Sequence, residues 1–299
     1  MSLLAWIQGQ AAGAEPAGEV DLGALIMHHL TDAREIELPF FLGTVQLPQG
    51  WYVNLGPLGV VDLAPTKHVV LMVLAALLCL IVFIPLARAA QRREEGKAPG
   101  GLGGGMEAMV LYFRDEVVRT NIGHGADAFA PYILTLFFFI LSMNLLGLVP
   151  WGGSATGNLA VTLALAICSF VLVEVAGMRA LGFRGYLQTV FFVPEGMTGI
   201  GAFLIVVLMA PVEFMGKLTK PFALTVRLFA NMMAGHTLIF ALGGLIFTFG
   251  SAAVATMAGI PITAMAIAIM VLELFVAFLQ AFIFAMLTSV FVGLIRHAH

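Results

Sequence analysis

The apolar runs that recur along this chain of 299 residues constrain its fold more than any other feature. Residues 69–90, 131–149 and 158–178 each hold about 20 largely apolar residues, enough to cross a hydrocarbon core ~30 Å thick. Two later runs, 195–250 and 260–295, are longer still. With 61% hydrophobic and only 10% charged residues, the composition exceeds what a soluble domain carries. The sequence therefore predicts an all-α integral membrane protein.

Basic residues around the first run predict its orientation. Residues 1–65 form a polar, proline-containing segment, and no basic region precedes its first apolar patch, so a cleaved secretory signal is weakly supported. The first transmembrane helix is predicted over 66–90. Four basic residues lie in its last turn or just after its C-terminal end: Arg88, Arg92, Arg93 and Lys97. The positive-inside rule then places residues 1–65 outside the cytoplasm and this helix end within it.

A glycine-rich stretch and an amphipathic stretch come next. Residues 91–105 are predicted to be a cytoplasmic linker, because the Gly-Lys-Ser/Thr ending of a phosphate-binding loop is absent. Over 106–122, apolar side chains recur at helical spacing at Met106, Met109, Val110, Phe113 and Val117. We expect this amphipathic helix to lie on the cytoplasmic surface.

Residues 131–178 are predicted to form a transmembrane hairpin. Its short turn carries no Lys or Arg, whereas Arg179 and Arg184 follow its second helix, so the hairpin returns to the cytoplasm. Asn144 in the first helix either bonds across helices or lines a hydrated path. Glu174, near the end of the second helix, is interpreted as an acid that reaches the membrane interface.

The two apolar runs in the last hundred residues are longer than one membrane crossing requires. Residues 195–296 are predicted to form a hairpin of long helices, with Gly250 to Gly259 as the turn. As one helix, 195–250 would extend about 80 Å, so it is either strongly tilted or broken at Pro211 and Pro221. We expect the C-terminus to lie in the cytoplasm.

Ionisable residues within this hairpin are the candidate functional residues. An uncompensated arginine at the bilayer centre costs about 2.5 to 3.5 kcal/mol, so Arg227 needs a partner, which we expect to be a carboxylate on another chain. Antiparallel pairing about a turn near residue 254 places Arg227 level with Gln280 and His236 level with Glu273. These groups either line a buried polar route or only hold the two helices together by hydrogen bonds.

The rotation of the first long helix separates its polar residues. At 100° per residue, Glu213, Lys220, Arg227 and Asn231 lie within about 40° of one stripe, and His236 lies about 180° from Arg227. We therefore expect Arg227 and His236 to face different surroundings.

Four segments carry a resemblance to a known family. The segments RLFANMMAGH at 227–236, LQAFIFAML at 279–287, MNLLGLVP at 143–150 and HHL at 28–30 resemble those of subunit a of F-type ATP synthases. The resemblance implies a stator subunit whose long, strongly tilted hairpin packs against a rotating c-ring. Its other implied partners are the peripheral-stalk b subunits, further ATP synthase subunits and the lipid bilayer, with no nucleic acid.

The resemblance also implies roles for individual residues. Arg227 would attract the passing ring carboxylate, keep its own charge and block direct leakage between two half-channels. Glu213 would belong to the half-channel open to the cytoplasm, and Lys217 and Lys220 are either interfacial anchors or direct participants. The half-channel open to the outside would be lined by Asn231, His236, Glu273 and Gln280, with Asn144 as a further candidate.

We expect a multi-pass protein of a bacterial inner membrane. Proton coupling is favoured over sodium coupling by the pairing of His236 with Glu273. The chain is expected to perform no bond chemistry and to need no cofactor or metal. A secondary transporter is less favoured because no internal repeat is present, and a proton-pumping respiratory-chain subunit would spread its buried charges over more helices.

Overall fold

The structure is a computed structural model. It describes residues 35–37, 44–54, 60–62, 64–92, 100–149, 153–191, 199–248 and 252–297. The HHL segment at 28–30 and most of residues 1–65 lie outside the described residues.

Helices make up most of the described chain. In order they are α1 (Lys67–Gln91), α2 (Gly101–Tyr112), α3 (Thr120–Ile122), α4 (Ala130–Leu148), α5 (Leu159–Val190), α6 (Ile200–Thr248) and α7 (Ala252–Arg296). Five of them, α1 and α4 to α7, are long and apolar enough to cross a membrane. Large apolar side chains on α1 face outward, among them Leu80 and Ile81, which are 53% and 69% exposed. The predicted all-α integral membrane protein is thereby confirmed.

Short strands occur before the first helix. Strand β1 (Glu35–Glu37) pairs antiparallel with β2 (Thr44–Gln46), and β3 (Tyr52–Asn54) pairs antiparallel with β4 (Val60–Asp62). The sequence pattern predicted no strands here. Each ribbon has three residues per strand, so these pairs are an addition to a helical protein rather than a second domain.

The amphipathic helix predicted over 106–122 begins earlier than predicted, and part of it packs on other helices of the protein. The predicted linker over 91–105 is wrong at its end, since α2 begins at Gly101 and lies against Leu86 of α1. This packing offsets the low helix propensity of glycine. A π-helical segment, Phe113–Arg119, joins α2 to α3. Its Phe113 and Val118 are buried in the protein core, so this part of the apolar face packs on other helices instead of on lipid.

The second helix of the first hairpin is longer than predicted. Helix α5 continues past residue 178 to Val190, but Gly182 has φ 70° and ψ 166°, which no helix contains. A positive φ of this kind suits glycine, which lacks a Cβ. The chain therefore changes direction at Gly182 and starts a short second helical section.

The long hairpin is formed by two continuous helices. Helix α6 runs through Pro211 and Pro221 without ending, so the tilted alternative agrees with the structure and the broken one does not. Its 49 residues correspond to about 74 Å at 1.5 Å per residue. The predicted turn over Gly250 to Gly259 is wrong, because α7 already begins at Ala252. A glycine within a mainly apolar helix was mistaken for its boundary.

Aromatic side chains close the core between the helices. The ring of Phe113 lies 4.0 Å from that of Phe137 on α4 and 5.6 Å from that of Phe282 on α7, measured between centroids. Phe278 of α7 meets Phe137 edge to face. Helix α4 packs mainly on α7, and α5 packs on both α6 and α7. This arrangement buries some polar residues of α6 and α7, such as Lys217, Glu273 and Gln280, against α4 and α5 and leaves others exposed.

Candidate functional site

His236 and Glu273 form a buried pair between α6 and α7. The Nδ1 atom of His236 lies 3.0 Å from Glu273 Oε1 and 2.9 Å from the Met232 carbonyl oxygen. Its Nε2 atom lies 2.9 Å from the carbonyl oxygen of Gly147 on α4. Because carbonyl oxygens only accept hydrogen bonds, whichever ring nitrogen carries a hydrogen can donate it to a backbone oxygen. We call His236, Glu273 and Gly147 the histidine cluster.

A glycine provides the space for this pair. A Cβ atom at Gly235 would lie 2.6 Å from Glu273 Oε1 and 2.8 Å from its Cδ, which is closer than real atoms approach. The Glu273 side chain is buried, with 5% of its surface exposed. The carboxyl group therefore reaches His236 only because residue 235 has no side chain. Nothing in the sequence alone marked Gly235 as part of the site.

Asn144 links α4 to α7 by a hydrogen bond beside the histidine cluster. It is fully buried on α4, its Nδ2 donates to the Ala277 carbonyl on α7 at 3.2 Å, and its Oδ1 accepts from Thr156 Oγ1 at 2.8 Å. Of the two predicted interpretations, bonding across helices is the one that these contacts support. This hydrogen bond holds α7 against α4 one helical turn beyond Glu273.

Arg227 lies exposed on α6, on the same side of the chain as Asn231. Among the residues that the structure describes, none forms a hydrogen bond or an ion pair with Arg227. Asn231 Nδ2 donates to Gln280 Oε1 at 2.7 Å. This contact lies one helical turn of α6 from the predicted register, which put Gln280 level with Arg227.

A second group of polar residues lies further towards the start of α6. Lys217 is only 8% exposed, and its Nζ lies 3.7 Å from Glu174 Oε2 of α5. The Tyr186 hydroxyl donates to the same carboxylate oxygen, and Lys217 Nζ lies 4.3 Å from the centre of the Tyr186 ring. Each of the two side chains therefore compensates the charge of the other inside the protein. That Glu174 reaches the membrane interface, and that Lys217 is either an interfacial anchor or a direct participant, stay predictions.

These residues line a cavity of about 210 Å³ between α5, α6 and α7. We call it the lysine cavity; its polar lining is Ser169, Glu174, Thr189, Glu213, Lys217, Lys220 and Thr288. Tyr186 reaches Glu174 because Gly182 bends α5, since twelve residues of straight helix would separate the two by about 18 Å. Glu213, predicted from its stripe on α6, is exposed and lines this cavity together with Lys220.

The two groups can handle protons in different ways. In the histidine cluster His236 Nδ1 lies 3.0 Å from Glu273 Oε1, but its hydrogen bond goes to the Met232 carbonyl, and within the described part of the chain neither carboxylate oxygen of Glu273 has a hydrogen-bond partner. The two groups are therefore close enough to exchange a proton once the imidazole ring or the carboxyl group turns. In the lysine cavity two carboxyl groups, Glu174 and Glu213, border one space. The described residues contain no group of three His, Cys, Asp or Glu side chains that could hold a metal ion.

Two functional candidates were not found from the sequence. Glu174 and Tyr186 lie outside the hairpin that carries the other ionisable groups, and the only signal for Glu174 was an acid within an apolar run. That signal was explained by a position near the helix end. The helix in fact extends past residue 178, which removes that explanation.

Comparisons with known proteins agree over most of the chain. The family model described as ATP synthase A chain matches residues 69–293. ATP synthase subunit a of Anaeromyxobacter dehalogenans is 44% identical over 299 residues, covering 97% of this chain and 75% of the relative. ATP synthase subunit a 2 of Prosthecochloris aestuarii is 42% identical over 288 residues, covering 96% and 84%. The matched residues include all of α4 to α6 and most of α1 and α7. The chain therefore belongs to the ATP synthase A chain family.

Proposed function

We propose that this chain is the stator subunit through which protons reach and leave the ring carboxylates of a rotary F-type ATP synthase. The observation that carries the proposal is Arg227, an exposed arginine on a membrane helix, for which the described part of the chain provides no carboxylate. A charge in that position needs a partner. A carboxylate on each c subunit, brought past α6 by rotation, supplies one.

The positions of the polar groups along α6 support two separate routes. The histidine cluster begins nine residues after Arg227, and Lys217 lies ten residues before it, so they are about 14 and 15 Å away along the helix. The two groups therefore lie about 29 Å apart along α6, with Arg227 between them. A proton arriving by one route would therefore meet the ring on one side of Arg227 and leave on the other.

The chemistry at each stage follows from charge and hydration. A proton enters through the histidine cluster, with Asn231 and Gln280 next along the route and Asn144 holding its wall. It neutralises a ring carboxylate, which can then enter lipid because a neutral acid is far less costly there than an ion. After nearly a full turn, the carboxyl meets Arg227, whose permanent charge favours the ionised form and so drives proton release.

The orientation follows from charge. The basic residues after α1 support an N-terminal segment outside and a C-terminus in the cytoplasm of a bacterial inner membrane. The histidine cluster then serves the outside and the lysine cavity serves the cytoplasm. Each proton that crosses 100 mV supplies about 2.3 kcal/mol for rotation. Besides the c-ring, the b subunits of the peripheral stalk and further ATP synthase subunits are the proposed partners. The chain itself breaks and forms no bond other than bonds to protons.

Replacement of Arg227 by alanine tests the proposal. In inverted vesicles that carry the assembled complex, Arg227→Ala is expected to abolish ATP-driven proton uptake. Passive proton conduction, measured with the catalytic head removed and a potential imposed, is expected to persist or rise, because the barrier between the two routes is lost. The matched control is Arg184→Ala, an exposed arginine of α5 that lies outside both routes. Pumping by Arg227→Ala at the rate of this control would overturn the proposed function.

A further inference from the structure

Among the ion pairs of the described residues, the least exposed one outside the predicted site joins Glu174 of α5 to Lys217 of α6. We propose that Glu174 is a second proton-carrying carboxyl of the route on the Glu213 side, and that Lys217 and Tyr186 position it. This inference rests on the proposed function, because it assigns a further residue to one of its two routes. It adds a helix, α5, to a path that the sequence confined to α6 and α7.

Stability alone does not account for the pair. Side chains of Glu174 and Lys217 are only 14% and 9% exposed, so both charges have lost most of their hydration. The loss of hydration offsets much of the attraction between buried charges, and an apolar pair of similar size often stabilises a fold equally well. Ionisable groups inside membrane segments are instead typical of ion paths.

The position of Glu174 suits proton transfer. Its carboxyl group and that of Glu213 line the same cavity of about 210 Å³. The cavity also reaches Pro221 and Leu224, and Leu224 lies three residues before Arg227 on α6. The lysine cavity therefore extends to within one helical turn of the residue that meets the ring carboxylate.

The proposed steps move only a proton. In the synthesis direction, a ring carboxyl gives its proton to the Glu213 carboxylate, Glu213 passes it to Glu174 within the lysine cavity, and Glu174 releases it to the cytoplasm. Each step breaks one O–H bond and forms another. In the pumping direction the same steps run in reverse, so loss of Glu174 should slow both.

The groups that face Glu174 come from three helices. From α5 the Tyr186 hydroxyl donates to Oε2, and from α6 Lys217 Nζ lies 3.7 Å from that atom. Glu213 and Lys220 border the same cavity, and Lys220 Nζ lies 5.0 Å from the ring centre of Phe291 on α7. The residues of α7 that line the cavity are all uncharged: Thr288, Phe291, Leu294 and Ile295. The charged and titratable side chains that border the cavity beside Glu174 therefore come from α5 and α6.

The test is passive proton conduction by inverted vesicles stripped of the catalytic head, whose outer surface is the cytoplasmic one. Glu174→Gln keeps an oxygen for the Tyr186 hydroxyl but cannot carry a proton. We expect conduction to fall severalfold and its dependence on external pH to change shape, with the dependence on internal pH unchanged. The matched control is Glu116→Gln, an exposed glutamate of the π-helical segment.

A second variant separates proton transfer from folding. Glu174→Gln alone leaves the charge of Lys217 without its partner, so the double variant Glu174→Gln/Lys217→Gln is measured beside it, with assembly checked by co-purification of the complex. Low conduction with an altered external pH profile in the assembled double variant would support the proposal. Conduction and a pH profile equal to those of Glu116→Gln would overturn it and make the pair a structural tie. If Arg227→Ala still abolishes pumping, that outcome leaves the proposed function intact.

Discussion

The histidine cluster and the lysine cavity hold similar chemical groups in different packing. Each combines an acid with a nitrogen base that belongs to α6: Glu273 with His236, and Glu174 with Lys217. In the histidine cluster the base contacts backbone oxygen atoms through both ring nitrogens, and helices α4, α6 and α7 enclose the pair. In the lysine cavity the pair borders an open space of about 210 Å³.

Each of the two acid–base pairs depends on a glycine, but the physical reason differs between the enclosed pair and the open one. Gly235 is needed for space, because a Cβ there would overlap the Glu273 carboxyl group. Gly182 is needed for its φ of 70°, and a Cβ there would meet nothing within 4 Å. An enclosed site is therefore sensitive to added volume, whereas the open site is sensitive to the path of the backbone.

Of the changes that test this contrast, the largest effect is expected from adding one methyl group at Gly235, beside the histidine cluster. Gly235→Ala is expected to push the flexible Glu273 carboxyl away from His236 and lower proton conduction severalfold. Helix α6 should remain folded, because alanine is the better helix former by about 1 kcal/mol. The measurement is passive proton conduction in stripped inverted vesicles.

The matched control for this effect is Gly243→Ala in the same helix, where a Cβ would meet nothing within 4 Å. It should conduct protons at the rate of the unmodified protein. If Gly235→Ala and Gly243→Ala conducted protons equally well, conduction would not depend on the short distance between Glu273 and His236. The claim that the enclosed site is sensitive to added volume would then be contradicted.

An intermediate effect is expected in the lysine cavity. Gly182→Ala places a side chain at a positive φ, which costs on the order of 1 to 3 kcal/mol. The bend of α5 should relax and move Tyr186 away from Glu174, which makes the segment from residue 183 to 190 more accessible. Hydrogen exchange of that segment should speed up, while Gly201→Ala, in open space on α6, should leave it unchanged. Equal exchange in both variants would show that the bend does not depend on glycine.

The smallest effect is expected on the surface, away from both sites. Hydrogen bonds from Arg119 and then Arg114 hold the pKa of Asp127 below its ordinary value of 3.8. A lowered pKa means that the ion pairs stabilise the fold above pH ~3.8 and that this contribution disappears as the pH falls through the lower folded-state value. Asp127→Asn should therefore lower the thermal stability slightly at pH 7.

The pH dependence provides the check on this surface prediction. The difference in melting temperature between Asp127→Asn and the unmodified protein should shrink at acidic pH and at high salt, because exposed ion pairs are weak and screened. The neighbouring exposed acid, changed as Glu116→Gln, is the control. A difference that persisted at acidic pH would show that the Asp127 side chain acts through something other than its charge.

Much of the fold follows from composition and local periodicity. The apolar runs predicted the five membrane helices, and the hairpin prediction brought His236 beside Glu273, where the structure has them in contact. Helix ends were less predictable. Gly101 starts α2 and Gly259 lies within α7, because one glycine weakens a helix by only about 1 kcal/mol and does not by itself end it.

Spacing along one helix determines which residues share a face, so the sequence by itself placed Glu213, Arg227 and Asn231 on one side of α6. It could not determine which groups from distant helices meet that face. The pairing of Glu174 with Lys217 depends on a bend at Gly182 and on the rotation of α5 against α6, and residues 43 positions apart carry no local signal for either. The hydrogen bond from Asn144 to the Ala277 carbonyl, 133 positions along the chain, depends on helix packing in the same way. Local geometry repeats with the helical period, whereas contacts between helices depend on how whole surfaces fit together.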